Sequence, residues 1–230
     1  MIVVLANRSD ESALALVERA QGDAWLLTAR DLSEPGWRHS PTGGDETAII
    51  GGRRVARSEI TAVLTRMPAI APAALAHIDP SDREFVASEM NAFLLSWLSR
   101  LECLVVNRPT AGSLMGPAWS RERWLVEGCR AGFEPFSRVA PVSPLPLVPT
   151  RMVVVVGDAC VGDVPARLGA RALELARRGG VMLLGICVDD RDRLIAVEPF
   201  PDVARPEVSA RLLSFLRGGS RTSADYRGAA

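Results

Sequence analysis

The chain has 230 residues, 48% of them hydrophobic, enough for one large domain or two small ones with cores of their own. Basic and acidic residues number 27 each, so no net field draws in nucleic acid. Every basic residue is arginine, and without lysine the chain can form neither a Schiff base nor a P-loop lysine clamp.

In chain order, Ile2 to Leu5 reads as a buried strand. Ser9-Asp10-Glu11 then supply a cap and an acidic first turn for a helix through Ala20. Ala24 to Thr28 is a second strand, and Leu32 to Asp45, rich in Pro, Gly, Ser and His, is loop. Gly51-Gly52 between Thr47–Ile50 and Arg53–Arg57 is a two-residue hairpin signal. Ile60 to Thr65 is a further strand, stopped by Pro68. Ser81-x-x-Glu84 reads as a capping box opening a long helix at Pro80-Ser81, with Phe85, Val86, Met90, Phe93, Leu94, Trp97, Leu98 and Leu101 as a broad buried face. Cys103 to Val106 is a strand ending at Asn107-Arg108-Pro109, and Ser120 caps a helix to Ala131 that Gly132 closes.

Five prolines between Phe133 and Thr150 leave no room for a helix or a central strand, so 133–150 reads as a linker. Beyond it, Met152 to Val156 is a strand, Val164 to Arg178 a helix, and Met182–Val188 with Arg193–Glu198 a hairpin across Asp189–Asp192. Pro206 opens a last helix carrying Val208, Leu212, Leu213, Phe215 and Leu216. The pattern predicts an α/β fold: a Rossmann-like N-terminal domain over 1–132 with a largely parallel sheet, a smaller α+β unit over 151–217, and a frayed tail from 218 to 230.

Cys103, Cys129, Cys160 and Cys187 form no Cys-x-x-Cys pair, and with only His39 and His77 beside them they make no zinc site. Cys103 and Cys187 lie in apolar runs and read as small buried hydrophobes. The N-terminal apolar run is too short for a signal peptide and no run is long enough for a membrane span, so the expectation is a cytoplasmic protein with no membrane partner. Gly157-x-x-x-x-Gly162 is followed by Asp163-Val164 where a P-loop needs Lys-Ser/Thr, and reads as a strand-to-helix turn. Asp189, Asp190 and Asp192 lack the glycine and distal glutamate of a calcium loop and read as a solvated hairpin tip. His39 reads as a surface-loop histidine, His77 as trimming the entry of the long helix, and no Ser-His-Asp set stands out. Trp37 and Trp119 fall in loops, where exposure would favour an interface.

Several segments resemble, in order, the ATP-grasp ligases of the peptide-modifying, RimK-like and microviridin-ligase-like branch. Ala62 to Pro68 is similar to the strand ending Arg-x-Pro of their pre-ATP-grasp domain. Glu89 with the ladder to Leu101, then Val105 to Pro109, resembles the next helix and its Asn-x-Pro strand end. Arg121, Leu125, Gly128 and Gly132 fall on the Asn-Lys-x-x-Gln-Leu helix, and Arg151 to Asp158 on an Arg-hydrophobic-x-Val-Val-Gly-Asp strand. Ala196 to Pro201 resembles the closing Glu-x-Asn-Pro-x-Pro.

The departures concentrate on the nucleotide site. The resemblance implies a clamp subdomain between Gly132 and Arg151, where only the linker stands, and two phosphate lysines. It also implies metal-binding side chains at Cys187 or Val188, at Ala196 and at Glu198. A methyl group cannot coordinate a hard cation. The resemblance thus implies a truncated, degenerate relative: a non-catalytic binding or assembly component in peptide or natural-product modification. It would act as a homodimer or with a partner enzyme, holding a peptide or small acid and needing no cofactor or metal. An alternative is an active carboxylate–amine ligase binding Mg-ATP through arginines, with Glu198 and Asp202 supplying oxygens to one Mg²⁺. A third is hydrolysis or group transfer in the interdomain cleft. Arg66, Asn107, Arg108 and Arg121, at strand ends or a helix start, are the candidates to hold a ligand's carboxylate or phosphate.

Overall fold

The computed structural model describes residues 1–40, 44–135 and 150–218. The expected linker, apart from its ends, and the tail after Gly218 lie outside the described residues. The chain divides into two compact units, Met1–Ala118 together with the segment from Val203 onward, and Trp119–Asp202. The sequence pattern expected the division at 1–132 and 151–217.

In the first unit, β1 (Ile2–Leu5) is central to a parallel sheet with β2 (Ala24–Leu27), β5 (Ala62–Thr65) and β6 (Leu104–Val106), in the order β2-β1-β5-β6. These strands are apolar runs because helices or loops cover both faces. Helix α1 (Glu11–Arg19) is capped by the Asp10 side chain, which accepts from the Ala13 N–H at 2.9 Å. The hairpin of β3 (Thr47–Ile50) and β4 (Arg53–Ala56) turns on Gly51 and Gly52, whose φ of 57° and 75° suit the primed turn that a two-residue hairpin loop requires. The expected parallel sheet and hairpin are both present.

Helix α2 (Arg83–Arg100) differs from expectation at its start. There is no capping box: Asp79 accepts from both the N–H and the hydroxyl of Ser81, closing a local turn that competes with the helix. Phe85 is 70% exposed, so the buried face begins only at Ala87, with Leu94, Trp97 and Leu98. Trp37 is not an exposed interface tryptophan. Its ring meets Phe93 and Trp97 edge-on at 5.2 and 5.5 Å, and its N–H reaches the Asp31 carbonyl. The last helix, α5 (Pro206–Gly218), begins at the expected proline and packs on β5.

In the second unit, β7 (Thr150–Val156), β8 (Ala159–Cys160), β9 (Leu183–Asp189) and β10 (Leu194–Glu198) form an antiparallel sheet in the order β10-β9-β7-β8. Gly157 therefore turns a hairpin between β7 and β8 rather than leading directly into a helix. Helices α3 (Arg121–Arg130) and α4 (Ala166–Gly179) share a core with Val153, Val155, Leu184, Ile186, Val188 and Leu194 from one face of the sheet. Between the helices, buried Glu127 pairs with Arg130 at 2.7 Å and Arg178 at 2.8 Å. The α3 contacts with α4 and β10 place this helix with the C-terminal sheet, although it precedes the linker.

Candidate functional site

Strand periodicity and register assemble the candidate site on the second sheet. Val153, Val155, Leu184, Ile186 and Val188 face the helices, so Met152, Val154, Gly185, Cys187, Ala196 and Glu198 share the other face. Across the three strands, Met152 pairs with Cys187 and Cys187 with Ala196. Of the two positions open at the first metal-binding residue, Cys187 is thus the one on this face, while Val188 is fully buried in the helix-facing core. Directly opposed residues on antiparallel strands hold their Cβ atoms about 5 Å apart. The positions where the resemblance implies metal-binding carboxylates are therefore neighbours, but they carry a thiol and a methyl group.

The row is uncharged. Burial pushes the Cys187 thiol up, and the nearby Glu198 carboxylate adds to that, while a hydrogen bond with Thr150 works the other way. One row along, Glu198 lies opposite Gly185. A side chain on Gly185 would meet the Glu198 Cβ and the Met152 Sδ at 3.2 Å, so the bare α-carbon keeps these groups close. Glu198 and Asp202 are exposed. Sulfur, methyl and one flanking carboxylate do not fit a pair of Mg²⁺ ions, which prefer an octahedron of oxygens. Among the described residues no group of three or more His, Cys, Asp or Glu side chains is placed to hold a metal.

The acidic hairpin tip also differs from its reading as solvated. Asp189 is buried and accepts from the N–H groups of Arg191 and Arg193 and from the Arg193 guanidinium. Burial pushes its carboxyl up, but these donors outweigh it and hold it below the usual range. Asp192 pairs with Arg151.

In the first unit, Arg66 and Asn107 stand at the carboxyl ends of adjacent strands β5 and β6, both buried. Arg66 Nε donates to Asp10 Oδ2 at 2.8 Å. Asn107 adopts φ 53°, which an asparagine tolerates better than most residues. Arg108 turns back to the carbonyls of Leu98, Leu101 and Cys103, closing the end of α2. Arg121 is exposed on the first turn of α3, in the second unit with Glu198 and Asp202. The six candidates thus fall three to each unit.

A network that the sequence did not bring together lies in the first unit. Glu46 accepts from His39 Nδ1 at 3.0 Å, from Arg57 at 2.8 Å and from the Ser40 N–H. His39 Nε2 lies 2.8 Å from Ser96 Oγ. The side chains of His39 and Glu46 are 6% and 2% exposed, so His39 is not a surface histidine. Trp37-x-His39 places both rings on Phe93, but loop residues carry no period from which that could be read. His77, by contrast, pairs with Ser33 at the surface.

Neither a protein-family model nor a curated protein sequence matches the chain. Its fold does match solved structures. The macrocyclase MdnC of Microcystis aeruginosa, bound with precursor peptide MdnA, superimposes with a TM-score of 0.65 at 13% identity, over 94% of this chain and 99% of that one. A RiPP-associated ATP-grasp ligase of Chryseobacterium gregarium, in complex with ADP and a leader and core peptide, gives 0.65 at 10% identity over 94% and 96%. The ATP-grasp ligase PsnB with a minimal precursor gives 0.70 at 14% identity over 96% and 99%. The fold is ATP-grasp-like, of the kind found in RiPP-associated peptide ligases. No described helix is long and apolar enough to cross a membrane.

Proposed function

We propose that this chain is a peptide-binding or assembly component of a peptide-modification system that has given up ATP chemistry. The observation that supports the reading is the cross-strand pair Cys187–Ala196, two of the positions at which the resemblance implies metal-binding carboxylates. Hydrogen bonds and β-register keep the frame, while the oxygens that bind Mg²⁺ are replaced by sulfur and a methyl group. The complete absence of lysine points the same way. Three neighbours of this fold were solved with precursor or leader and core peptides, which supports a peptide as the ligand class here. On this reading Arg66, Asn107, Arg108, Arg121, Glu198 and Asp202 contact ligand or partner, the protein works in the cytoplasm, and it pairs with a second copy or an active enzyme.

Calorimetry with Mg-ATP tests the loss, and fluorescence titration of a peptide encoded beside the gene tests the gain. Flat Mg-ATP heats with saturable, nucleotide-independent peptide binding are expected. Saturable Mg-ATP binding at micromolar to low millimolar concentration overturns the reading.

A further inference from the structure

We propose that Ser96, His39 and Glu46 form an acyl-transfer centre that takes activated esters, with Ser96 as nucleophile, His39 as base and Glu46 as the positioning carboxylate. This centre lies in the first unit and does not depend on the function proposed above. The three groups are bonded in series, Glu46 Oε1 to His39 Nδ1 at 3.0 Å and His39 Nε2 to Ser96 Oγ at 2.8 Å. That order is the one an acid–imidazole–hydroxyl relay requires. A base must lie within hydrogen-bond reach of the proton it takes, and His39 already holds that position against the Ser96 hydroxyl.

The carboxylate is fixed from two further sides, by Arg57 and by the Ser40 N–H. Burial pushes the Glu46 carboxyl up, but these donors and His39 bring it below the usual range, so it is ionised at neutral pH. An ionised carboxylate only accepts, so it selects the tautomer with hydrogen on Nδ1 and leaves Nε2 to accept from Ser96. Phe93, one turn before Ser96 on α2, meets the imidazole edge-on at 5.7 Å and fixes its plane. The series also has a direction, because Glu46 and His39 are closed off whereas Ser96 is half-buried.

In the first step the Ser96 Oγ–C bond forms on the ester carbonyl as His39 Nε2 takes the hydroxyl proton. The tetrahedral adduct then expels the leaving oxygen, which receives that proton, and an acyl ester remains on Ser96. Water attacks this ester with His39 again as base, releasing the acid and restoring the serine. The position of Ser96 sets the substrate class. Inside a helix the neighbouring N–H groups are spent on i−4 carbonyls, so no pair of free donors is preformed for the oxyanion. A carbonyl here must carry a good leaving group, which selects aryl esters over amides. The cavity of about 710 Å³ beside Glu46 and Arg57 is lined by neither His39 nor Ser96 and plays no part in this step.

The test is labelling of the intact protein with a fluorophosphonate probe, peptide mass mapping of the adduct, and hydrolysis of p-nitrophenyl acetate. Labelling of Ser96 is expected, with the exposed Ser99 on the same helix unlabelled. Ser96→Ala should remove the adduct and the esterase signal. Glu46→Gln should slow labelling at least tenfold while circular dichroism stays native. No adduct on Ser96 in folded wild-type protein, equal labelling of Ser99, or an unchanged rate in folded Glu46→Gln each overturns the proposal. The wild-type map decides even if a variant fails to fold. The Mg-ATP and peptide titrations interrogate other residues, so either proposal can fail without the other.

Discussion

Asp10 and Arg66 are joined at 2.8 Å, so the carboxylate that caps α1 also holds the guanidinium at the end of β5. Their side chains are 18% and 6% exposed, and the pair links the first helix to the carboxyl edge of the parallel sheet. Asp10→Ala removes a cap and leaves a buried cation without this partner. The expected cost is about 3 kcal/mol, read as a lower urea midpoint at unchanged slope. A loss below about 1 kcal/mol would show that Arg66 finds equal solvation elsewhere.

Glu46 makes stability depend on pH in a definite direction. Its carboxyl lies below the usual range in the folded chain, so its contribution is complete above the ordinary glutamate value. That contribution is lost as the pH falls through the lower, folded value. Glu46→Gln should cost about 1–3 kcal/mol at neutral pH, and the difference from wild type should shrink as urea unfolding is repeated at more acid pH. A gap that stays constant into the acid limb would contradict this linkage.

Gly179 ends α4 against the Trp124 ring. A Cβ at that position would lie 2.7 and 2.9 Å from two ring carbons, closer than any unstrained contact. Gly179→Ala should destabilise by about 1–3 kcal/mol through overpacking, despite alanine's better helix propensity. Thermal unfolding followed by tryptophan fluorescence reads the effect, and a raised Tm would show that the ring moves aside freely.

The Cys187–Ala196 pair permits a gain-of-binding experiment. Cys187→Asp with Ala196→Glu sets two carboxylates about 5 Å apart on one sheet face. Without a divalent ion they should repel and lower the melting temperature; Mg²⁺ at millimolar concentration should restore it. A double variant indifferent to Mg²⁺ would mean that the frame no longer matches a metal site.

Much of the fold was legible in local pattern. The four-residue strands, Gly51-Gly52, Ser120 as the α3 cap and Pro206 at the start of α5 all carry their reason within a few residues. What failed was decided by competition or distance. Asp79 took Ser81 away from α2, and Phe85 kept the helical period but met no facing surface. The compact units divide elsewhere than at the proline-rich stretch, because α3 packs with the C-terminal sheet, a contact between residues far apart in sequence. On the candidate face the residue types suggested the lost metal ligands, whereas only register could place Cys187 opposite Ala196. The Ser96–His39–Glu46 series joins two loop residues to a helix across 57 residues, a separation that no periodicity reports.

The first unit is built from both ends of the described chain. The Ser12 hydroxyl accepts from the N–H groups of Val203 and Ala204, Arg19 reaches the Ala204 carbonyl and Ser209, and α5 packs on β5. The second unit is continuous in sequence. During synthesis, therefore, the parallel sheet emerges first yet waits for α5, with part of its apolar surface uncovered while the antiparallel sheet is made. The unit begun first is the last to be completed, and a chain stopped before Pro206 would strand it half-built.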